Sequence, residues 1–157
     1  MKAVSEKDLV EEKTIVFHQI MGQVQEVKNM PEEVIYLPSR ILCTEENKEA
    51  CIATVRYMVA LAEIVRKEGF KNLDKHVETN ESFLLKDAVK MMQDGFDHKI
   101  FRHIMQNYIY FSNKPENEIL IDYIIAQGIV SIECGNHPFV IKKILSSILG
   151  TEIAAII

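Results

Sequence analysis

The chain lacks the features that mark most specialised protein classes. Its uncharged apolar runs, such as Tyr123–Ile132, fall far short of the ~20 residues a bilayer-spanning helix needs. The N-terminus, MKAVSEKDLVEEK, is too charged for a signal peptide, so a cytoplasmic location is expected. Cysteine is scarce and odd in number: Cys43, Cys51 and Cys134 show no C-x-x-C spacing, which favours free buried thiols over a disulfide framework. There is no clustered basic stretch. The 18 Lys and Arg are interleaved with 23 Asp and Glu for a net charge of −5, which argues against nucleic acid as partner. No glycine loop is present to cradle a phosphate. With only 6 glycines and 4 prolines in 157 residues, helix breakers are rare.

What remains is apolar residues at helical spacing. The pattern predicts an all-α fold: a compact bundle of about five to six helices in a single domain, with no transmembrane span. A first helix is expected over Val4–Lys28, where Leu9, Val16, Ile20, Val24 and Val27 recur at helical intervals. The connector Pro31–Cys43 could hold a one- or two-turn helix across the bundle. A long helix over Glu45–Glu68 starts at a Thr44 cap and stops at Gly69, with its stripe on Cys51, Val55, Met58, Ala62 and Val65. A charged corner, Phe70–Val77, follows. Asn80 is the expected cap for a helix over Glu81–Gln93, and Asp97 for one over His98–Ser112. Pro115 suits the first turn of Glu116–Cys134, a helix apolar on most faces. That helix is either central or offers an apolar face to a partner. Phe139–Leu149 is a last short helix, and Thr151–Ile157 an apolar tail.

Several residues invite a functional reading. Arg66 points along the apolar arc of its helix, near Val55 and Val59, where a charge is costly unless paired or able to reach water. Two readings stay open: a helix-end arginine that reaches solvent, or a charge held for a partner or for an acid such as Asp74. Cys134 and His137 have ligand-like spacing and His98 and His103 are close in sequence, but neither pair is completed to a tetrahedral set. Hence no metal or other cofactor is expected. Cys51 and Cys134 read as packing residues, and Ser131 has no nucleophile-elbow context. No enzyme activity and no small-molecule substrate are expected.

Three segments carry a family resemblance. LAEIVRKEGFKNLDKHV (Leu61–Val77) resembles the cytoplasmic loop of the flagellar motor stator MotA family. FLLKDAVKMMQDGFD (Phe83–Asp97) resembles the stretch that follows in that loop. GIVSIECGNHPFVIKKIL (Gly128–Leu145) resembles the family's C-terminal segment, through Gly128, Ser131, Ile132, Gly135, Pro138, Ile141 and Leu145. The three occur in the family's order. The family's four transmembrane helices have no counterpart, so ion conduction by this chain is not expected.

The resemblance implies a non-enzymatic, MotA-like protein that acts by protein–protein contact in or near the flagellar motor. In that family an arginine and, eight residues on, a glutamate engage the rotor switch protein FliG. Arg66 stands at the first position and Asp74, a shorter acid, at the second. The partner-binding face implied is Arg66, Lys67, Glu68 and Asp74, with a FliG-type rotor protein or stator subunits as partners. A structural or regulatory adaptor that self-associates or pairs with a stator subunit through Ile119–Ile132 is the alternative. Peripheral membrane contact through the tail Ile153–Ile157 also stays open. The third segment departs from the family: His137 replaces an asparagine, Phe139 an arginine, and Lys142 and Lys143 stand in place of acids. A contact that needs negative charge there is altered in sign.

Overall fold

In the computed structural model of the protein, the described residues are Ile35, Leu37 and 39–157. The helix expected over Val4–Lys28 lies outside them. The described residues form seven α-helices and no strand: α1 Lys48–Glu68, α2 Leu73–Val77, α3 Phe83–Gln93, α4 His98–Tyr110, α5 Glu116–Glu133, α6 Pro138–Ile148 and α7 Thr151–Ala154. Five are the long helices of the apolar pattern, and α2 and α7 are the corner and tail drawn into single turns. No helix among the described residues is long and apolar enough to cross a membrane.

Helix α5 is the centre of the bundle. It packs against α1, α3, α4 and α6. Leu120, Ile124, Ile125, Ala126, Ile129, Val130 and Ile132 are all buried in it, which is why its sequence is apolar nearly all round. The inward choice is thus realised, and most of this apolar surface is taken up by the core. Asp122, a buried charge on α5, is neutralised by Lys114 Nζ at 2.7 Å.

Helix α1 buries Cys51, Val55, Met58, Leu61 and Ala62, the expected stripe with Leu61 added and Val65 left at its edge. It crosses α5 at Gly128. A Cβ at that position would lie 3.0 Å from Met58 Cε and 3.2 Å from Leu145 Cδ1. The missing side chain lets α1, α5 and α6 meet.

Local signals fix the ends, with small departures from expectation. Thr44 does not cap α1. Its N–H donates to Asn47 Oδ1 at 2.7 Å, and the helix begins after Asn47. Asn80 likewise acts one step early: its Oδ1 accepts from Ser82 N–H, and Ser82 Oγ caps α3 by accepting from Leu85 N–H. In both cases a side chain shapes the turn ahead of the helix and a later residue becomes the boundary. Asp97 caps α4 as expected, accepting from Lys99 and Ile100 N–H. Pro115 precedes α5 at the N-cap instead of lying in its first turn. Helices α3 and α5 end alike. Gly95 and Gly135 take positive φ, and the residue after each donates back to Met91 and Ser131 carbonyls, the Schellman arrangement.

The connector is not helical where it is described. Ile35 is fully buried, and its N–H goes to Gln127 Oε1 at 2.9 Å instead of to a helical carbonyl. In the tail, Ile153 and Ile157 pack on the core while Ile156 is exposed.

The crossing at Gly128 gives a direct test. Gly128→Val places branched carbon against Met58 and Leu145 and is expected to cost about 1–3 kcal/mol. The measurement is the urea midpoint, which should fall; an unchanged midpoint would show that the contact is slack.

Candidate surface groove and charged corner

The charged residues after Leu61 divide between two faces. Val59, Glu63 and Arg66 follow one another at helical steps of four and three, so they share a line along α1. That line leaves the core at Val59, which is half-buried against it, and reaches solvent at Glu63 and Arg66. It borders a surface groove of about 540 Å³ between α1 and α6. Val59, Glu63, Arg66 and Lys67 form one wall, and His137, Pro138, Phe139 and Lys142 the other. Arg66 therefore sits on the apolar side of its helix where that side opens to solvent. It is exposed, and the desolvation cost does not arise. The solvent-reaching reading of Arg66 accounts for its placement, and no ion pair with Asp74 is formed.

The groove is mixed in character. Arg66, Lys67 and Lys142 place positive charge on it, against the single carboxylate of Glu63. Phe139 is 63% exposed, a large apolar side chain offered at the rim. Lys143 Nζ lies 5.8 Å from the centre of its ring, within reach of a cation–π attraction. A smaller hollow of about 190 Å³ continues along the same helices towards Ile157. It shares Val59, Glu63 and Lys142 and adds Arg56.

Glu68 and Asp74 belong elsewhere. Glu68 Oε2 lies 3.4 Å from His76 Nε2 across the α1–α2 corner, and Tyr57 Oη donates to the carbonyl of His76 at 3.2 Å. Asp74 is exposed and accepts from Gln93 Nε2 at 2.9 Å. The same Gln93 amide also donates to the carbonyls of Phe70 and Lys71. It ties the corner to the end of α3. The hydrogen bond from Gln93 holds the Asp74 carboxyl below the usual aspartate value. Of the four residues expected to form one partner face, all exposed, Arg66 and Lys67 line the groove, while Glu68 and Asp74 bond to His76 and Gln93 at the corner.

Cys51 and Ser131, considered as nucleophiles, sit in poor surroundings for that chemistry. Cys134 instead is half-buried beside His98 and Glu133 and not in the apolar packing expected of it. None of the three cysteines is in a disulfide. Burial first, and then the neighbouring Cys43 thiol, push Cys51 up to about 12, so it stays protonated at neutral pH. Ser131 is fully buried within α5.

One cluster was not legible in the sequence. His98, the first residue of α4, meets Glu133 and Cys134 at the end of α5, and their ligand atoms lie within 4.8 Å of one another. The spacing of Cys134 and His137 pointed to a different histidine. His137 instead caps α6, its Nδ1 accepting from Phe139 N–H at 3.1 Å. No protein-family model, curated protein or solved structure matches the chain.

The Gln93–Asp74 bond carries a pH signature. Since folding lowers its pKa, Asp74 favours the folded state above the ordinary aspartate range. That contribution fades as the pH falls through the folded value. Replacing the donor by Gln93→Leu is expected to raise the Asp74 midpoint towards the ordinary value. Carboxyl-carbon NMR across an acid titration reads it, and an unmoved midpoint would remove Gln93 as the cause.

Proposed function

We propose that the protein is a non-enzymatic cytoplasmic interaction module that docks an acidic, amphipathic protein segment in the α1–α6 groove. The observation that supports this reading is the composition of the groove. Arg66, Lys67 and Lys142 surround the exposed ring of Phe139 and the half-buried Val59, above the buried Pro138. Positive charge at the walls steers an acidic partner and sets its register. Phe139 supplies the kind of aromatic anchor on which binding energy concentrates.

The resemblance to the MotA family fits this picture and modifies it. The RKEG-bearing helix α1 and the helix α6 come from two different resembling segments, and they face each other across the groove. The family's arginine position, Arg66, is on one wall. The substitutions that set this chain apart, His137, Phe139 and Lys142, are on the other. Where the family has acids beside its proline, this chain adds cations, so the pair of helices forms a groove selective for negative charge. A FliG-type rotor protein remains the first partner to try, through an acidic helix of that protein. Glu68 and Asp74, on the separate corner, are secondary contacts in this reading.

The experiment is a fluorescence-anisotropy titration of the chain against a FliG-type switch protein and, in parallel, against an acidic amphipathic helical peptide. Binding should weaken with added salt. Arg66→Glu and Lys142→Glu should each reduce affinity by about fivefold to tenfold, and Phe139→Ala by a similar amount or more. Asp74→Asn should change it little. Binding that ignores Arg66→Glu, Lys142→Glu and Phe139→Ala would dispose of the groove as the docking site. Binding of the peptide but not of the switch protein would keep the groove and dispose of the motor partner.

A further inference from the structure

The second feature with chemistry of its own is the cluster at the α4–α5 junction, on residues that the groove does not use. It is built from capped helix ends. Asp97 fixes the start of α4 and so places His98 at its first position. The Schellman stop at Gly135 fixes the end of α5, placing Glu133 at its last position and Cys134 at its cap. The His98 and Glu133 side chains are about one-quarter and one-fifth exposed, so an ion could reach them from solvent.

The donor atoms are an imidazole nitrogen, a carboxylate oxygen and a thiol sulfur. His98 Nδ1 is bonded to Glu133 Oε2. Cys134 Sγ lies 3.8 Å from each ring nitrogen of His98 and 4.0 Å from Glu133 Oε2. Tetrahedral bonds of about 2.0–2.3 Å to such ligands put neighbouring ligand atoms about 3.3–3.6 Å apart. The two sulfur edges of the triangle are within a few tenths of an ångström of that size. The third edge, His98 to Glu133, closes on a hydrogen bond and has to open, which a flexible glutamate at a helix end can do.

We propose that His98, Glu133 and Cys134 bind one zinc-type divalent transition-metal ion. The mixed sulfur, nitrogen and oxygen set suits borderline-soft Zn²⁺ and is a poor match for Mg²⁺ or Ca²⁺, which take oxygen ligands. Binding replaces the His98–Glu133 hydrogen bond with two metal bonds. Cys134 binds as thiolate and its proton leaves to solvent, while His98 binds through a neutral ring nitrogen. Three protein ligands leave the fourth tetrahedral position to water. The ion would clamp the start of α4 to the end of α5, residues 35 apart in the chain.

The test uses the full chain, reduced and stripped with chelator, titrated with Co²⁺ and then with Zn²⁺. The expected result is one Co²⁺ per chain with a thiolate-to-cobalt charge-transfer band and tetrahedral visible bands, displaced by Zn²⁺. Cys134→Ser should abolish the charge-transfer band and Cys43→Ser should leave it. His98→Asn and Glu133→Gln should each weaken binding by more than about tenfold, a loss that even a ligand's supporting partner commonly causes. A second readout needs no variant: Zn²⁺ should slow iodoacetamide labelling of Cys134, located by peptide mass spectrometry. No charge-transfer band in the wild-type chain, a band that survives Cys134→Ser, or Cys134 labelling indifferent to Zn²⁺ would each overturn the site.

Discussion

The bundle depends on the close approach at Gly128. Helix α5 can lie against both α1 and α6 because it presents no side chain where Met58 and Leu145 converge. A helix that is apolar on nearly every face is stable in water only if neighbours cover it, and this three-way meeting supplies much of that cover. The groove runs between α1 and α6, the same two helices that meet α5 at Gly128. A glycine in the middle of a helix costs roughly 1 kcal/mol relative to alanine, and the packing it permits offsets that cost.

Charge is distributed around this core in two different ways. Asp122 and Lys114 meet as a buried acid and a half-exposed cation, an arrangement that neutralises a charge the core could not otherwise hold. On the surface, Arg66, Lys67 and Lys142 gather around one groove, while Glu68 and Asp74 are bonded to His76 and Gln93. Acids tied to neighbours within the chain are less available to an outside partner than cations facing open solvent. This difference, more than the net charge of −5, is what the proposed preference for an acidic partner rests on. The His98–Glu133–Cys134 cluster is a third arrangement, in which donors from two helix ends converge.

Much of this could be read from the residues in order. The period of the apolar positions gave the five long helices, because burial of one face is decided within each helix. Gly69, Gly95 and Gly135 marked the ends, since only glycine takes the left-handed turn there at little cost. Caps were legible to within a few residues. They slipped at Thr44 and Asn80 because both side chains bond in the turn ahead of the helix, and sequence alone does not say which of two adjacent polar residues takes which role. Arg66 was correctly seen to lie on the apolar side of α1. That this side is open to solvent there was not legible, because it depends on where the start of α6 lies against α1.

By itself, then, the sequence determined the helical class and, to within a few residues, the helix boundaries, which follow from local period and local backbone chemistry. It left α5 open between a central place and a partner-facing one. Tertiary structure alone decided which side chains meet across distance. It put Arg66 and Lys67 on one groove with Phe139 and Lys142, and it tied Glu68 to His76 and Asp74 to Gln93. It passed over the nearby pair Cys134 and His137 and brought His98 to Glu133 and Cys134 instead. The reason is geometric. A helix fixes its own face within a turn or two, but the neighbour of that face is set by how whole helices cross, and here the crossing is set at Gly128.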